Sequence, residues 1–264
     1  MDLQLKSKTA FVSGSTQGIG FAIARQLLIE GAAVIINGRT QEKIDGAVKR
    51  LKEEIPAANI SGIAADFTNA ESVNQLLIAL PEIDILVNNV GIFELKPFAD
   101  IPDEDWTRFF EINVMSGVRL SRLLLPKMLA KNWGRIIFIS SESAVNIPEN
   151  MIHYGMTKTA MLAVSRGLAT LTKNTEVTVN TILGGPTYSE GVAVAIEQIS
   201  AAQGLGVDQM KKDLFKALNP TSLVQRFIKP AEIANLAVYL ASPLAIATNG
   251  AALRADGGVL NTIL

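Results

Sequence analysis

The 264-residue chain contains no cysteine and a single histidine, His153. The first absence removes disulfides, thiolate nucleophiles and zinc–thiolate sites together, and the second leaves little from which a histidine-rich metal centre could be built. No cluster of carboxylates suggests a metal site of another kind. Runs of one charge are missing too: 24 Lys and Arg are interspersed with 25 Asp and Glu, for a net charge of −1. Nothing offers the basic footprint that a phosphate backbone requires, which argues against nucleic acid as a partner. Apolar residues reach 48%, yet no apolar run approaches the roughly 18 residues of a membrane-spanning helix. The opening MDLQLKSK lacks the apolar stretch of a secretion signal. Together these absences predict a cytoplasmic protein with no membrane association.

What is present is a steady supply of Leu, Ile, Val and Ala along the whole length, enough for a sizeable core. Short apolar runs bounded by turn residues, at 9–13, 33–37, 60–65, 83–88, 135–140, 177–183 and 251–254, read as strands buried on both faces. Helical patterns lie between them, at 19–30, 41–54, 70–80, 104–130, 152–173 and 230–241. Asp103 is the expected N-cap of the fourth, and Pro126 is expected to kink or shorten its end. Regular alternation predicts right-handed β–α–β crossovers and a single α/β domain over 1–264, a doubly wound parallel sheet with helices on both faces. Residues 187–227 break the rhythm with Gly204, Gly206 and Pro220 among apolar stretches. An insertion after a late strand lies at the carboxyl edge of the sheet, where ligands bind in such folds, so it is read as a partly helical substrate lid.

The first strand runs straight through Ser13-Gly14-Ser15-Thr16-Gln17-Gly18-Ile19-Gly20 into a helix. Its glycines permit a tight turn and close backbone approach, so that a pyrophosphate can sit on the helix N-terminus; a plain strand-to-helix turn is the competing reading. The spacing is G-x-x-x-G-x-G rather than the commoner G-x-G-x-x-G. The second strand ends Asn37-Gly38-Arg39-Thr40, without the acid that would bind a ribose 2′-hydroxyl. Gly38 leaves room and Arg39 offers a planar fork to a 2′-phosphate, which favours NADP over NAD; otherwise Arg39 is a solvated charge. Asp66, followed by Phe67, either accepts from the adenine amino group or caps the helix near Asn69.

Tyr154 and Lys158 stand at i and i+4 of a helical pattern, so phenol and ammonium share a face. Lowering a tyrosine pKa from near 10 to about 7 takes roughly 4 kcal/mol. One cation about 5 Å away at an effective dielectric of ~20 supplies roughly 3 kcal/mol of that. The strand before this helix ends in Ser140 and Ser141, which puts hydroxyls where a substrate carbonyl would be polarised.

With these residues together, the chain resembles the short-chain dehydrogenase/reductase family over nearly its full length, in particular its 3-oxoacyl-carrier-protein reductases. Ser13-Gly14 through Gly20 looks like the family's cofactor turn, with Ser13 for the usual Thr. Asn88-Asn89-Val90-Gly91 looks like its Asn-Asn-Ala-Gly motif, which steadies the central sheet and lines the adenine ribose. Asn113, Ser141, Tyr154 and Lys158 match its catalytic tetrad. The resemblance implies a Rossmann-type sheet of about seven strands in the order 3-2-1-4-5-6-7.

It also implies the division of labour. Tyr154 would act as general acid in carbonyl reduction or base in alcohol oxidation, Ser141 would orient the carbonyl, and hydride would belong to the nicotinamide. Lys158 would bind the nicotinamide ribose and lower the Tyr154 pKa, while Asn113 would hold a water linking Lys158 to solvent. Cofactor contacts would come from Gly14, Ser15, Thr16, Gln17, Gly18, Ile19, Gly20, Arg39, Asp66, Phe67, Asn89, Val90, Gly91, Tyr154, Lys158, Pro186, Thr187 and Ser189. Three departures stand out. Gly184 occupies the family's Pro position, which predicts a looser loop over the nicotinamide. Ser189 replaces a carboxamide-binding Thr, and Gln17 stands where many NADP-preferring members are basic.

Glu142 and Ser143 either line the pocket or cap a turn, and His153 is expected to pack or face the lid rather than catalyse. Phe93, Val145, Ile147, Met151 and Tyr188 are either pocket wall or core, and Asp256-Gly257-Gly258 reads as a structural turn. The leading expectation is an NADPH-dependent reductase of a ketone or 3-oxoacyl substrate, or the reverse alcohol dehydrogenase, assembled as a homotetramer or homodimer through the helices that start near Glu104 and Ile152. The rivals are a catalytically silent dinucleotide sensor of the same fold and a methyltransferase on a related sheet, which would leave Ser141, Tyr154 and Lys158 unexplained.

Overall fold

Each short aliphatic run becomes a strand covered on both sides. In the computed structural model, which describes residues 1–263, the strands are β1 (Thr9–Val12), β2 (Ala33–Gly38), β3 (Ile60–Ala64), β4 (Ile85–Asn88), β5 (Gly134–Ser141), β6 (Val177–Gly184) and β7 (Ala252–Ala255). They form one parallel sheet in the order β3-β2-β1-β4-β5-β6-β7. The helices between them are α1 (Gly18–Ile29), α2 (Gln41–Glu54), α3 (Ala70–Ala79), α4 (Asp103–Phe110), α5 (Ser116–Ala130), α6 (Ile152–Thr170), α7 (Glu190–Gln203), α8 (Val207–Leu218) and α9 (Pro230–Ala241).

Successive strand residues point to opposite faces, and this divides the core. Ala10, Val12, Val34, Ile36, Ile137 and Ile139 pack with α1, α2 and α9. Phe11, Ile35, Leu86, Ile136 and Phe138 pack with α3, α5 and α6. Each large side chain so buried stabilises the fold by about 1.5–3 kcal/mol relative to exposure. Parallel strands all end at one edge, so the chain segments leaving β1, β2, β4, β5 and β6 gather there.

Three local expectations are corrected. Asp103 is the first helical residue and not the cap: Pro102 precedes it, and Asp103, Glu104 and Asp105 place three acids in the first turn, where the helix dipole favours them. Pro126 neither ends nor shortens α5, which continues to Ala130 because Leu124, Leu125 and Met128 are buried around it. Their packing outweighs the ~3 kcal/mol that an interior proline costs. Finally, the continuous helix expected over 104–130 is interrupted by a π-helical turn, Glu111–Met115, with Asn113 at its centre. Such widened turns cluster at functional sites.

The insertion at 187–227 contains α7 and α8, joined by Gly204 in the left-handed region (φ 64°) that ends α7. Its two ends are tied together. Ile228 N–H donates to the Pro186 carbonyl (2.8 Å) and Tyr188 N–H to the Ile228 carbonyl (2.9 Å). Among the described residues no helix is long and apolar enough to cross a membrane, and no group of three or more His, Asp or Glu side chains is placed to hold a metal ion.

Candidate active site

The glycine turn is held by side chains from three strands. The Ser13 hydroxyl donates to the Val87 carbonyl (3.2 Å) and accepts from the N–H groups of Asn89 (2.9 Å) and Val90 (3.2 Å). The Asn89 amide donates to the carbonyls of Ser13 and Gly14 at 3.0 and 2.9 Å. Ser15 donates to Val12 O (2.6 Å) and accepts from Asn37 N–H (3.0 Å), while Asn37 Oδ1 accepts from Gly14 N–H (3.1 Å). A methyl at Gly20 would lie 2.5 Å from both Asn89 Nδ2 and the Gly14 carbonyl, so only glycine lets α1 start this close to the turn. Gln17 is exposed at the tip, and Ile19 begins the helix with its side chain partly covered.

At the end of β2 the space beside Gly38 is not open as expected. A Cβ there would lie 2.5 Å from the Thr16 methyl, which already fills it. Arg39 is exposed at this corner. A second arginine joins it: Arg50 of α2 donates to the Thr16 carbonyl (2.6 Å) and lies over the Phe21 ring (4.2 Å). Asp66 is not the cap of α3, because Asn69 accepts from Ser72 N–H (3.0 Å). Asp66 instead accepts from the Thr68 N–H and hydroxyl at 2.9 and 2.8 Å, and Phe67 is buried in the core.

The π turn aims Asn113 at two neighbours. Its Oδ1 accepts from Ile92 N–H (2.8 Å), and its Nδ2 donates to the Ile92 carbonyl (3.0 Å) and the Thr157 hydroxyl (2.9 Å). Asn113 thus staples the segment after Gly91 to α6. Gly91 fits between, its missing Cβ 3.4 Å from Lys158 Nζ and 3.6 Å from Asn113 Oδ1.

Ser141 ends β5, in register with Gly184, which is in turn in register with Ala255. Gly184 is therefore a buried strand residue, and the looser loop expected there is replaced by a continuous ladder that Gly185 N–H extends to the Ala255 carbonyl (3.1 Å). Tyr154 and Lys158 project from the first turns of α6, with Lys158 Nζ 5.6 Å from the Tyr154 ring centre. Gly155 leaves room for Ile147, whose Cγ2 would lie 2.5 Å from a Cβ at that position. Lys158 is 5% exposed and donates to the Ile139 carbonyl (3.0 Å).

The electrostatics depart from expectation. Burial pushes the Lys158 ammonium down to about 8, against the pull of the Glu142 carboxylate. Burial also pushes the Tyr154 phenol well above its ordinary value, opposed by the Ser141 hydroxyl and reinforced by the negative charge of Glu142. Desolvation thus dominates the phenol in the chain on its own. A desolvated ammonium spent on a carbonyl does not offset the cost of burying a phenolate.

Glu142 follows Ser141 in a short 3-10 turn, Glu142–Ala144. Its Oε2 accepts from the Ser141 hydroxyl (2.6 Å) and its Oε1 from the Ser143 hydroxyl (3.3 Å). Burial raises its pKa. His153 packs as expected, fully buried against Phe109 (4.1 Å between ring centres) and Trp106, and burial lowers its pKa. Phe93, Val145 and Ile147 are exposed rather than core, and Phe93 meets the Tyr154 ring edge-on at 6.4 Å. Tyr188 meets the Phe227 ring at a tilt (5.8 Å between centres), near the two ends of the 187–227 segment. Asp256 accepts from the N–H groups of Gly258 and Leu260, each at 3.0 Å, as a structural turn does.

Pro186, Thr187 and Ser189 lead from β6 into α7. The Thr187 hydroxyl is turned back to the Gly185 carbonyl (2.8 Å), and Ser189 precedes the first turn of α7. Four contributors are not among the residues singled out from the sequence as site residues: Asn37, Arg50, Thr157 and Glu190, whose carboxylate accepts from Gly18 N–H at 2.8 Å. Only Thr157, inside the Tyr–Lys segment, carried a local signal.

Residues 8–199 match the short chain dehydrogenase family. The chain is 49% identical to an uncharacterized oxidoreductase of Bacillus subtilis strain 168, YvaG, over the whole of both chains. It is 29% identical to the 3-oxoacyl-[acyl-carrier-protein] reductase of Aquifex aeolicus, covering 98% of this chain and 100% of that one. Its structure superposes on the L-sorbose reductase of Gluconobacter frateurii, solved with NADPH and L-sorbose, with a TM-score of 0.93 at 30% identity over the whole of both chains. The sheet order, the glycine turn and these likenesses agree, and the chain belongs to the short-chain dehydrogenase/reductase family, enzymes that act on CH–OH and C=O groups.

Proposed function

We propose that the chain is an NADPH-dependent reductase that converts a ketone or 3-oxoacyl-type carbonyl to a secondary alcohol, with Tyr154 as general acid. The observation that carries this reading is the gathering of Ser141, Tyr154 and Lys158 at the carboxyl end of β5, with Lys158 Nζ 5.6 Å from the Tyr154 ring centre. A neutral phenol is ready to give a proton, and giving one is the reductive direction.

The residues present fit a dinucleotide. The turn at 14–20 brings backbone N–H groups to the start of α1 at a spacing that a side chain at Gly20 would destroy. Arg39, exposed and without a salt bridge among the described residues, supports a 2′-phosphate and hence NADPH, as does the NADPH complex of the L-sorbose reductase. The cofactor, when bound, supplies the hydride.

The chain's own residues do the rest. Tyr154 gives its proton to the oxygen that becomes the alcohol, and Ser141 orients that oxygen. Lys158 binds the nicotinamide ribose and returns a proton to Tyr154. Both amide hydrogens of Asn113 are spent on Ile92 and Thr157, so a water serving Lys158 would use the lone pairs Asn113 has left. The segment 187–227 would act as the substrate lid. Four copies, or two, pairing through α5 and α6 in the cytoplasm are carried by family likeness alone, and sedimentation tests the assembly.

The test is Tyr154→Phe. It should stay folded, bind NADPH and lose at least about 10²-fold in turnover, the range expected for a lost general acid. Near-wild-type turnover by this variant would overturn the assignment.

A further inference from the structure

Glu142 has no part in the reaction just described, yet it holds the hydrogen that the reaction needs. A serine hydroxyl has one hydrogen to give. That of Ser141 goes to Glu142 Oε2 at 2.6 Å, and its oxygen accepts from Ser143 N–H at 3.1 Å. A carboxylate only accepts, and a bond to it is roughly twice as strong as one to a neutral carbonyl. A plain ketone entering the site therefore competes poorly for Ser141. It would be polarised from the Tyr154 side alone.

Oε2 has a lone pair to spare, and a second donor there draws off charge and loosens its hold on the Ser141 hydrogen. The other hydroxyl bonded to Glu142, that of Ser143, serves Oε1 at 3.3 Å and leaves Oε2 to Ser141. A substrate can bring the missing donor itself. A hydroxyl on the carbon next to the carbonyl lies within a hydrogen-bond length of the carbonyl oxygen, just as Glu142 Oε2 lies within one of Ser141. We propose that Glu142 is a specificity-determining residue that directs the enzyme to α-hydroxyketones: the substrate hydroxyl donates to Glu142 Oε2, weakens its hold on Ser141 and lets the Ser141 hydrogen turn to the carbonyl. Burial sharpens the choice, because a carboxylate this poorly solvated gains more from each added donor. The proposal rests on the reading of Ser141 and Tyr154 as the groups that hold the reacting carbonyl.

The test compares 1-hydroxy-2-butanone with 3-pentanone, which replaces the hydroxyl by a methyl group, as substrates for NADPH oxidation. Removal of one donor from a developing oxyanion costs about 10²–10³ in rate, so the wild type should favour the hydroxyketone in kcat/KM by at least about tenfold. In Glu142→Leu the Ser141 hydrogen is free for either ketone, and the ratio should fall toward one, with 3-pentanone gaining. Glu142→Gln, the same shape without the charge, should move the ratio the same way. A folding defect lowers both rates together and leaves the ratio alone. A wild-type ratio near one, or a ratio that neither variant moves, overturns the role of Glu142 and leaves the reductase reading standing. NADPH binding without oxidation by either ketone or by a 3-oxoacyl thioester overturns both.

Discussion

The carboxylate of Glu190, in the first turn of α7, accepts from the backbone N–H of Gly18 at 2.8 Å and so seats a negative charge on the amino end of α1. The two residues are 172 positions apart. In the proposed function the same N–H groups receive the cofactor's pyrophosphate, and two anions do not share one helix end. Cofactor binding must then displace Glu190. The Glu190→Gln variant should bind NADPH severalfold more tightly, measured by quenching of protein fluorescence. An unchanged or weaker affinity would show that Glu190 does not compete.

Lys158 is expected to cost stability. With its pKa lowered to about 8 by burial, it is charged in the folded state at pH 7 at a cost of about 3 kcal/mol relative to an unfolded chain, where lysine titrates near 10.4. Replacement by Met removes the hydrogen bond to the Ile139 carbonyl, a net loss of ~1 kcal/mol. Lys158→Met should therefore be more stable by roughly 2 kcal/mol at neutral pH while losing activity. The sign of the pH dependence follows: between pH 8 and 10.4 the unfolded chain holds the extra proton, so wild-type stability rises with pH across that window. The advantage of the variant should be fully present below pH 8 and shrink through that window, turning into a deficit of ~1 kcal/mol above about pH 10.4 in urea melts. An advantage that does not change with pH would rule out this origin.

Asn113 offers the opposite case, a member of the proposed tetrad that also holds the structure together. Asn113→Ala removes its bonds to Ile92 N–H, Ile92 O and Thr157, all at a position 1% exposed. Leaving buried donors and acceptors unpaired costs about 1–3 kcal/mol each, partly recovered by water, so a loss of several kcal/mol is expected in denaturant melts. Amide exchange should rise first at Ile92 and along the start of α6. A variant as stable as the wild type would mean that these bonds contribute little net.

Much of this site was readable because its signals are local. Gly14, Gly18 and Gly20 lie within one turn, Ser141 ends an apolar run, and Tyr154 and Lys158 are one helical turn apart. Strand order, too, follows from alternation and likeness. What escaped depends on contacts between distant segments. Asn37 reaches Gly14 across the sheet, Arg50 reaches Thr16 from α2, and Glu190 returns to Gly18 from α7. The π turn at Asn113 replaced a seamless helix because hydrogen bonds to Ile92 and Thr157 outweigh helical periodicity there. The raised Tyr154 pKa escaped for a related reason: spacing reveals the neighbouring cation, whereas desolvation depends on everything packed around the phenol.

Arg39 and Arg50 stand at the same corner and should behave differently. Arg39 is exposed, with no salt bridge among the described residues to hold its guanidinium. Arg50 is committed to the Thr16 carbonyl and the face of Phe21. If Arg39 meets the 2′-phosphate, Arg39→Ala should raise the KM for NADPH by about 10-fold or more, as loss of a charged hydrogen bond of roughly 1.5–3 kcal/mol implies, and leave that for NADH nearly unchanged. Arg50→Ala loosens the turn that either cofactor must use, so both KM values should rise together. The ratio of the two cofactors' kcat/KM separates these effects. A ratio moved by Arg50→Ala and not by Arg39→Ala would transfer the phosphate contact to α2.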